Sequence, residues 1–255
     1  MCQLLGMNCS SATDICFSLK GFHSRGGLTD QHRDGWGISF FEGSGVRTFL
    51  DPRASVESPI ADMVRNYPIH STNVVAHIRR ATQGRVALEN THPFMRELWG
   101  RYWVFAHNGT LVDFTPELSG RYRPVGQTDS EIAFCYLLES LHRLFPSGHP
   151  APSQLGTALR ELAREISAYG DFNFLLSNGD ALYAHCSPRL TYTVRRMPFA
   201  QYHLIDQDVT VDFSHLTAID RVAVIATAPL TDNERWTTMS RGELLCFRHG
   251  EPEPV

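Results

Sequence analysis

Short apolar runs, some alternating with polar residues and some continuous, recur along the chain at 3–7, 36–41, 74–78 and 103–107, and again at 172–177, 181–186, 190–195, 221–226 and 243–248. Runs this short, rich in Val, Ile, Phe and Tyr and bounded by turn formers, predict strands. So many of them predict one large sheet or two. A longer period marks the helices. Thr128-Asp129-Ser130-Glu131 has the form of a capping box and precedes apolar residues at Ile132, Ala133, Tyr136, Leu137, Leu141 and Leu144, which share one helix face. Leu155, Leu159, Leu162 and Ile166 form a second stripe over 153–168, and shorter helices are predicted over 11–19 and 58–66.

Between the two long helices, FPSGHPAP at 145–152 is the best candidate for a mobile connector. Strands continue beyond it with no shift in composition, so the chain reads as a single domain over 1–255. The terminal GEPEPV is polar and proline-rich and is expected to fray. No internal repeat is visible.

Composition narrows the class. With 255 residues, 42% hydrophobic and 20% charged, the chain can bury a sizeable core, and 19 Gly with 14 Pro is too ordinary for collagen-like or low-complexity character. A formal net charge of -4 gives no basic stripe for nucleic acid. The start MCQLLGMNCSSATD has no cationic region ahead of an apolar stretch, and no segment stays apolar long enough for a bilayer. Six cysteines, scattered without a CxxC pair, suggest reduced thiols, and the expected location is cytoplasmic. Lys20 is the single lysine, which removes a P-loop GK[ST] and a lysine Schiff base; HExxH, GxSxG and a three-glycine dinucleotide loop are also missing.

Four clusters can carry chemistry. Removal of Met1, which normally proceeds when the next residue is small, would leave Cys2 as the amino terminus. A thiol of pKa about 8.5 then sits beside an α-amine of about 7.7 to 8.0, which can accept its proton near neutral pH. The alternative is a small apolar residue opening a strand. In Ala76-His77-Ile78-Arg79-Arg80-Ala81-Thr82-Gln83-Gly84 a strand delivers two arginines and a threonine to a loop, and a guanidinium fork suits a carboxylate. Of these, His77 reads as a core histidine and Arg80 as a solvated cation. Asn108-Gly109 ends an apolar strand and reads either as a turn or as an amide plus a bare N–H converging on a tetrahedral oxyanion. Asp129, in the first turn of its helix, either complements the helix dipole or pairs with a ligand ammonium.

Taken in order, Cys2 and the LLG from Leu4, Asp34-Gly35-Trp36-Gly37, HIRRATQG from His77, NTHPF from Asn90, HNGTL from His107 and TDSE from Thr128 resemble the class II glutamine amidotransferases, the N-terminal-nucleophile glutaminases. LENTHPF and RELWG are similar to their small stand-alone YafJ-like branch, and the final GELLCFRHG extends the likeness to nearly the whole chain. The resemblance implies an α+β fold, a four-layer αββα sandwich of two antiparallel sheets. It implies that Cys2 attacks the side-chain amide of glutamine to form a γ-glutamyl thioester, releasing ammonia and then, with water, glutamate. Asn108 and Gly109 would hold the oxyanion, Arg79 the substrate carboxylate and Asp129 its ammonium, with Thr82 near the carboxylate. Gln3, Gln31 and Arg80 stand where many relatives have Gly, Arg and, in some, Trp.

No cofactor is expected. The chain is taken up by the glutaminase half, so an acceptor for ammonia would need a synthase partner in trans. Two other readings stay open: hydrolysis of the γ-glutamyl amide of a larger metabolite, and a non-catalytic sensor binding glutamine through Arg79 and Asp129. A metal enzyme using His70, His77, His92 and His107 fits no common ligand spacing. The sequence sets no oligomeric state.

Overall fold

Residues 2–215 and 220–255 are described by the computed structural model; Met1, whose removal is expected above, lies outside the described residues. Strand β1 (Gln3–Thr13) leads into helix α1 (Cys16–Ser24), followed by β2 (Trp36–Glu42), β3 (Gly45–Asp51), α2 (Pro59–Asn66) and β4 (Ser71–Ile78). Next come β5 (Phe94–Leu98), β6 (Arg101–Leu111), α3 (Asp129–Leu144) and α4 (Pro152–Ile166). The remaining strands are β7 (Gly170–Ser177), β8 (Leu182–His185), β9 (Thr191–Arg196), β10 (Gln201–Leu204), β11 (Val209–Asp212), β12 (Arg221–Ala226), β13 (Thr237–Thr238), β14 (Leu244–Arg248) and β15 (Glu251–Pro254).

One sheet has the order β13-β9-β12-β1-β4-β2-β3 and the other β15-β14-β8-β7-β6-β5, while β10 and β11 form a separate hairpin. Neighbours in both sheets run antiparallel. The alternation of side chains along each strand sorts the core into three layers. On β1, Leu5, Met7 and Cys9 face Leu19 and Phe22 of α1 and Val64 of α2. The intervening Leu4 faces the other way and, with Val75 and Ile225, meets Val104, Ala106, Leu175 and Ala184 of the second sheet. That sheet's far face, Phe105, Phe172, Phe174 and Leu176, takes Phe134, Leu138 and Leu141 of α3 and Leu159, Leu162 and Ile166 of α4. Each fully buried Val, Leu, Ile, Phe or Met side chain among these contributes about 1.5–3 kcal/mol. The sheets approach closely at Gly6, where a Cβ would lie 3.0 Å from both Leu175 Cδ1 and Leu182 Cδ2. The fold is the expected four-layer αββα sandwich.

Local departures from the sequence reading have identifiable causes. The helix expected over 11–19 begins only at Cys16, because β1 runs to Thr13 and Asp14 Oδ1 accepts the Cys16 N–H at 2.9 Å. Asn108-Gly109 is no turn: β6 passes straight through it to Leu111. The α3 capping box is half formed. Thr128 Oγ1 accepts the Glu131 N–H at 3.2 Å, while the Glu131 carboxylate serves the Gly126 N–H and Arg96. The tail expected to fray pairs with β14 as β15, an edge position that tolerates its prolines. The 145–152 segment turns between two helices packed on one sheet face, with Phe145 edge-on against Trp99. Among the described residues no helix is long and apolar enough to cross a membrane.

Candidate active site

The β1–β4 register pairs Gln3 with Ile78, so one further step sets Cys2 opposite Arg79. Cys2 Sγ lies between the polar groups of the next residue, donating to Arg80 O at 3.4 Å and accepting the Arg80 N–H at 3.3 Å. Only 9% of Cys2 is exposed. Burial pushes its thiol above the ordinary range, opposed by the Arg80 amide and the Arg79 guanidinium and reinforced by Asp129. Burial thereby favours the neutral thiol over the thiolate.

Arg79 turns inward from the end of β4 and is almost fully buried. The following loop closes around it: Nη1 donates to Arg85 O at 3.0 Å, and Nη2 to Gln83 O and Gly84 O at 2.8 and 3.1 Å. Three of its five N–H donors are thus committed to carbonyls, leaving part of the fork for a ligand. Cys2, Asp34 and Asp129 all act on its charge, although burial has the larger influence and lowers its pKa. Asp34 Oδ2 accepts the Ala81 N–H at 2.7 Å and fixes the chain beyond the arginines.

Asn108 reaches the same end of the molecule from the opposite sheet. It shares the inward face of β6 with Val104 and Ala106, and its Nδ2 donates across the interface to Thr227 Oγ1 at 3.2 Å. The same Thr227 oxygen accepts the Leu4 N–H at 2.9 Å, and the Thr227 N–H returns to Leu4 O at 3.2 Å. One hydroxyl thereby joins Asn108 to the strand that carries Cys2. Behind Asn108, Asn173 Nδ2 donates to its carbonyl at 2.9 Å, and Asn173 Oδ1 accepts the Ser187 and Arg189 N–H groups. Asn108 Oδ1 is buried without a hydrogen-bond partner among the described residues.

Gly109 has a packing reason and a polar consequence. A Cβ there would lie 1.7 Å from Asp171 O and 2.6 Å from His107 Nε2, two atoms joined by a 3.0 Å hydrogen bond. Two residues on, the Leu111 N–H leaves β6 away from β7 to reach Asp129 Oδ2 at 2.7 Å, whereas the Val112 N–H turns toward β7 to Tyr169 O. Backbone N–H groups alternate edges along a strand, so the Gly109 N–H points to the Asp129 side, where β5 no longer pairs.

Asp129 opens α3, nearly buried, with Oδ1 accepting the Ser130 N–H at 2.9 Å. Asn90 ties this element to the arginine loop: Oδ1 accepts the Gln127 N–H at 2.8 Å and Nδ2 donates to Arg85 O at 3.0 Å. Cys2, Arg79 and Asp129 thus act on one another electrostatically, and Asn108, with Gly109 next to it, is joined through Thr227 to the strand that follows Cys2. Thr82 stands apart on the exposed rim, its hydroxyl 3.1 Å from that of Thr110. Thr227 and Asn173 were not singled out from sequence, and no motif announces either.

The histidines form no metal cradle. His77 and His92 pack with their rings tilted 40° and their centroids 4.3 Å apart, His107 bonds Ser130 Oγ and Asp171 O, and His70 is exposed. Among the described residues no group of three or more His, Cys, Asp and Glu is arranged to hold a metal ion.

Comparison with known proteins gives a consistent answer. The family model for glutamine amidotransferases class-II matches residues 1–255. A protein of Haemophilus influenzae (strain ATCC 51907 / DSM 11121 / KW20 / Rd) is 51% identical over 253 residues, covering 98% of this chain and 85% of its own. Escherichia coli (strain K12) YafJ is 52% identical over 252 residues, covering 98% and 99%. Both carry provisional names as glutamine amidotransferases. The crystal structure of a predicted glutamine amidotransferase from Pseudomonas aeruginosa PA01 superposes with a TM-score of 0.78 at 47% identity, covering 98% of each chain.

Proposed function

The chain belongs to the class II glutamine amidotransferases, and we propose that it is a single-domain glutaminase whose nucleophile is Cys2, freed as the terminal residue by removal of Met1. The observation that carries this reading is the Cys2 thiol seated on the Arg80 backbone, with the Arg79 guanidinium and the Asp129 carboxylate both acting on it. In this reading the α-amine of Cys2 takes the thiol proton as sulfur attacks the glutamine side-chain carbonyl. The free donors of Arg79 bind the substrate carboxylate and Asp129 its ammonium, with Thr82 at the rim of the carboxylate loop. The Asn108 amide and the Gly109 N–H receive the oxyanion, a contact worth several kcal/mol where water is excluded. Collapse expels ammonia, leaving a γ-glutamyl thioester that water converts to glutamate. The distance from clamp to sulfur separates glutamine from asparagine by one methylene, about 1–3 kcal/mol.

The test is Cys2→Ser. Glutamate release should fall by orders of magnitude, while the circular dichroism spectrum and the binding of glutamine stay those of the parent. Undiminished turnover would reject the nucleophile, and a parent protein that binds glutamine without ever releasing glutamate would leave the sensor reading in its place.

A further inference from the structure

The glutaminase reaction leaves the Arg80 side chain without a task. Its N–H and carbonyl bracket Cys2 Sγ, yet the side chain is exposed, and its guanidinium meets no hydrogen-bond or ion-pair partner among the described residues. Arg79 and Arg80 directly follow the end of β4, the first buried and the second exposed. Arg79 turns inward to the amino-acid clamp; Arg80 turns outward, and the sulfur rests against the backbone between them. A γ-glutamyl group held at its α-end by Arg79 and Asp129, with its acyl carbon at Sγ, directs the amine it carries away from Arg79. The Arg80 guanidinium, exposed on its flexible methylene stem, is a cation with no partner among the described residues, carried by the same backbone unit that holds Sγ.

Ammonia offers such a cation nothing to bind. We propose that the preferred substrate is a γ-glutamyl amide whose amine portion bears a carboxylate, a γ-glutamyl amino acid or short peptide, and that Arg80 binds that carboxylate. This rests on the Cys2 reading above. A planar fork matches a carboxylate in a fixed orientation. The covalent step is unchanged: the C–S bond forms as the C–N bond breaks, the departing amine takes the thiol proton, and water then cleaves the thioester to glutamate.

The experiment compares glutamate release by the full chain from glutamine, γ-glutamylglycine and γ-glutamylglycinamide, the last two differing only in the terminal carboxylate. The expected kcat/KM ratio is about tenfold in favour of the glycine compound, the scale of one charge-assisted hydrogen-bonded contact. Arg80→Gln should bring the ratio close to one, and Arg80→Lys should keep part of the preference. Because the ratio is taken within each protein, a general loss of activity cancels. Equal rates in the parent, or a preference that survives Arg80→Gln, would overturn the assignment. Release from glutamine alone would overturn it while sparing the Cys2 reading, whereas release from none of the three compounds would overturn both.

Discussion

Thr227 shows how much of the site depends on a residue that performs no chemistry. Its hydroxyl accepts from both the Leu4 N–H and Asn108 Nδ2. Thr227→Val keeps the shape and removes the acceptor, leaving buried donors unpaired at about 1–3 kcal/mol. Urea unfolding should register that loss, and kcat should fall further than KM rises, since the clamp proposed at Arg79 and Asp129 is untouched. Equal changes in both constants would show that Asn108 is not positioned in this way. Gly109 offers no comparable probe: even alanine meets the Asp171 carbonyl, so loss of activity there would report on folding. Legibility divides along the same line. Cys2, Arg79, Asn108 and Asp129 each belong to a chemical type with a recognisable neighbour, so the sequence could nominate them. Thr227 could not be nominated, because its partners lie 223 and 119 positions away and its role exists only after two sheets have packed.

Helix α3 carries Asp129 in its first turn, and Thr128 closes that turn through the Glu131 N–H. Thr128→Ala should cost about 1 kcal/mol of stability. The same change should raise KM for glutamine several-fold with little effect on kcat, because the carboxylate is displaced while the thiol is not; steady-state kinetics beside thermal melting would separate the two. An unmoved KM would place Asp129 under the control of Leu111 and Ser130 alone. Long buried elements were readable in advance because burial imposes a period on them: β4, β7 and β12 declare themselves by continuous apolar runs, α4 by its stripe. The elements that escaped notice are short or peripheral. Strands β3 and β5 are sheet edges, and β15 is built on the Pro-bearing segment opposite Phe247 and Leu245, so none of them needs a strong pattern. At α1 the pattern was present but the boundary was set by one Asp14 hydrogen bond.

The interior of the molecule stores neutral histidines. Burial lowers the pKa of His23, His92, His107 and His185, and brings His77 down to about 3, with the charges of His107 and Arg79 adding to the effect. A histidine that titrates lower in the fold than in the unfolded chain leaves the unfolded state holding more protons, so stability rises with pH across the interval. For His77 the contribution is fully present above about pH 6.5 and is lost as pH falls toward 3, at about 1.4 kcal/mol per pH unit. The melting temperature should therefore drop steeply between about pH 6.5 and 4, and a flat profile over that range would contradict the burial of these rings. The path of the chain has another result. Cys2 directly precedes β1, which is flanked by β4 on one side and by β12, from much later in the sequence, on the other. During synthesis Cys2 emerges long before Thr227, so the hydroxyl link that ties Asn108 to β1 cannot form until the chain has grown past β12.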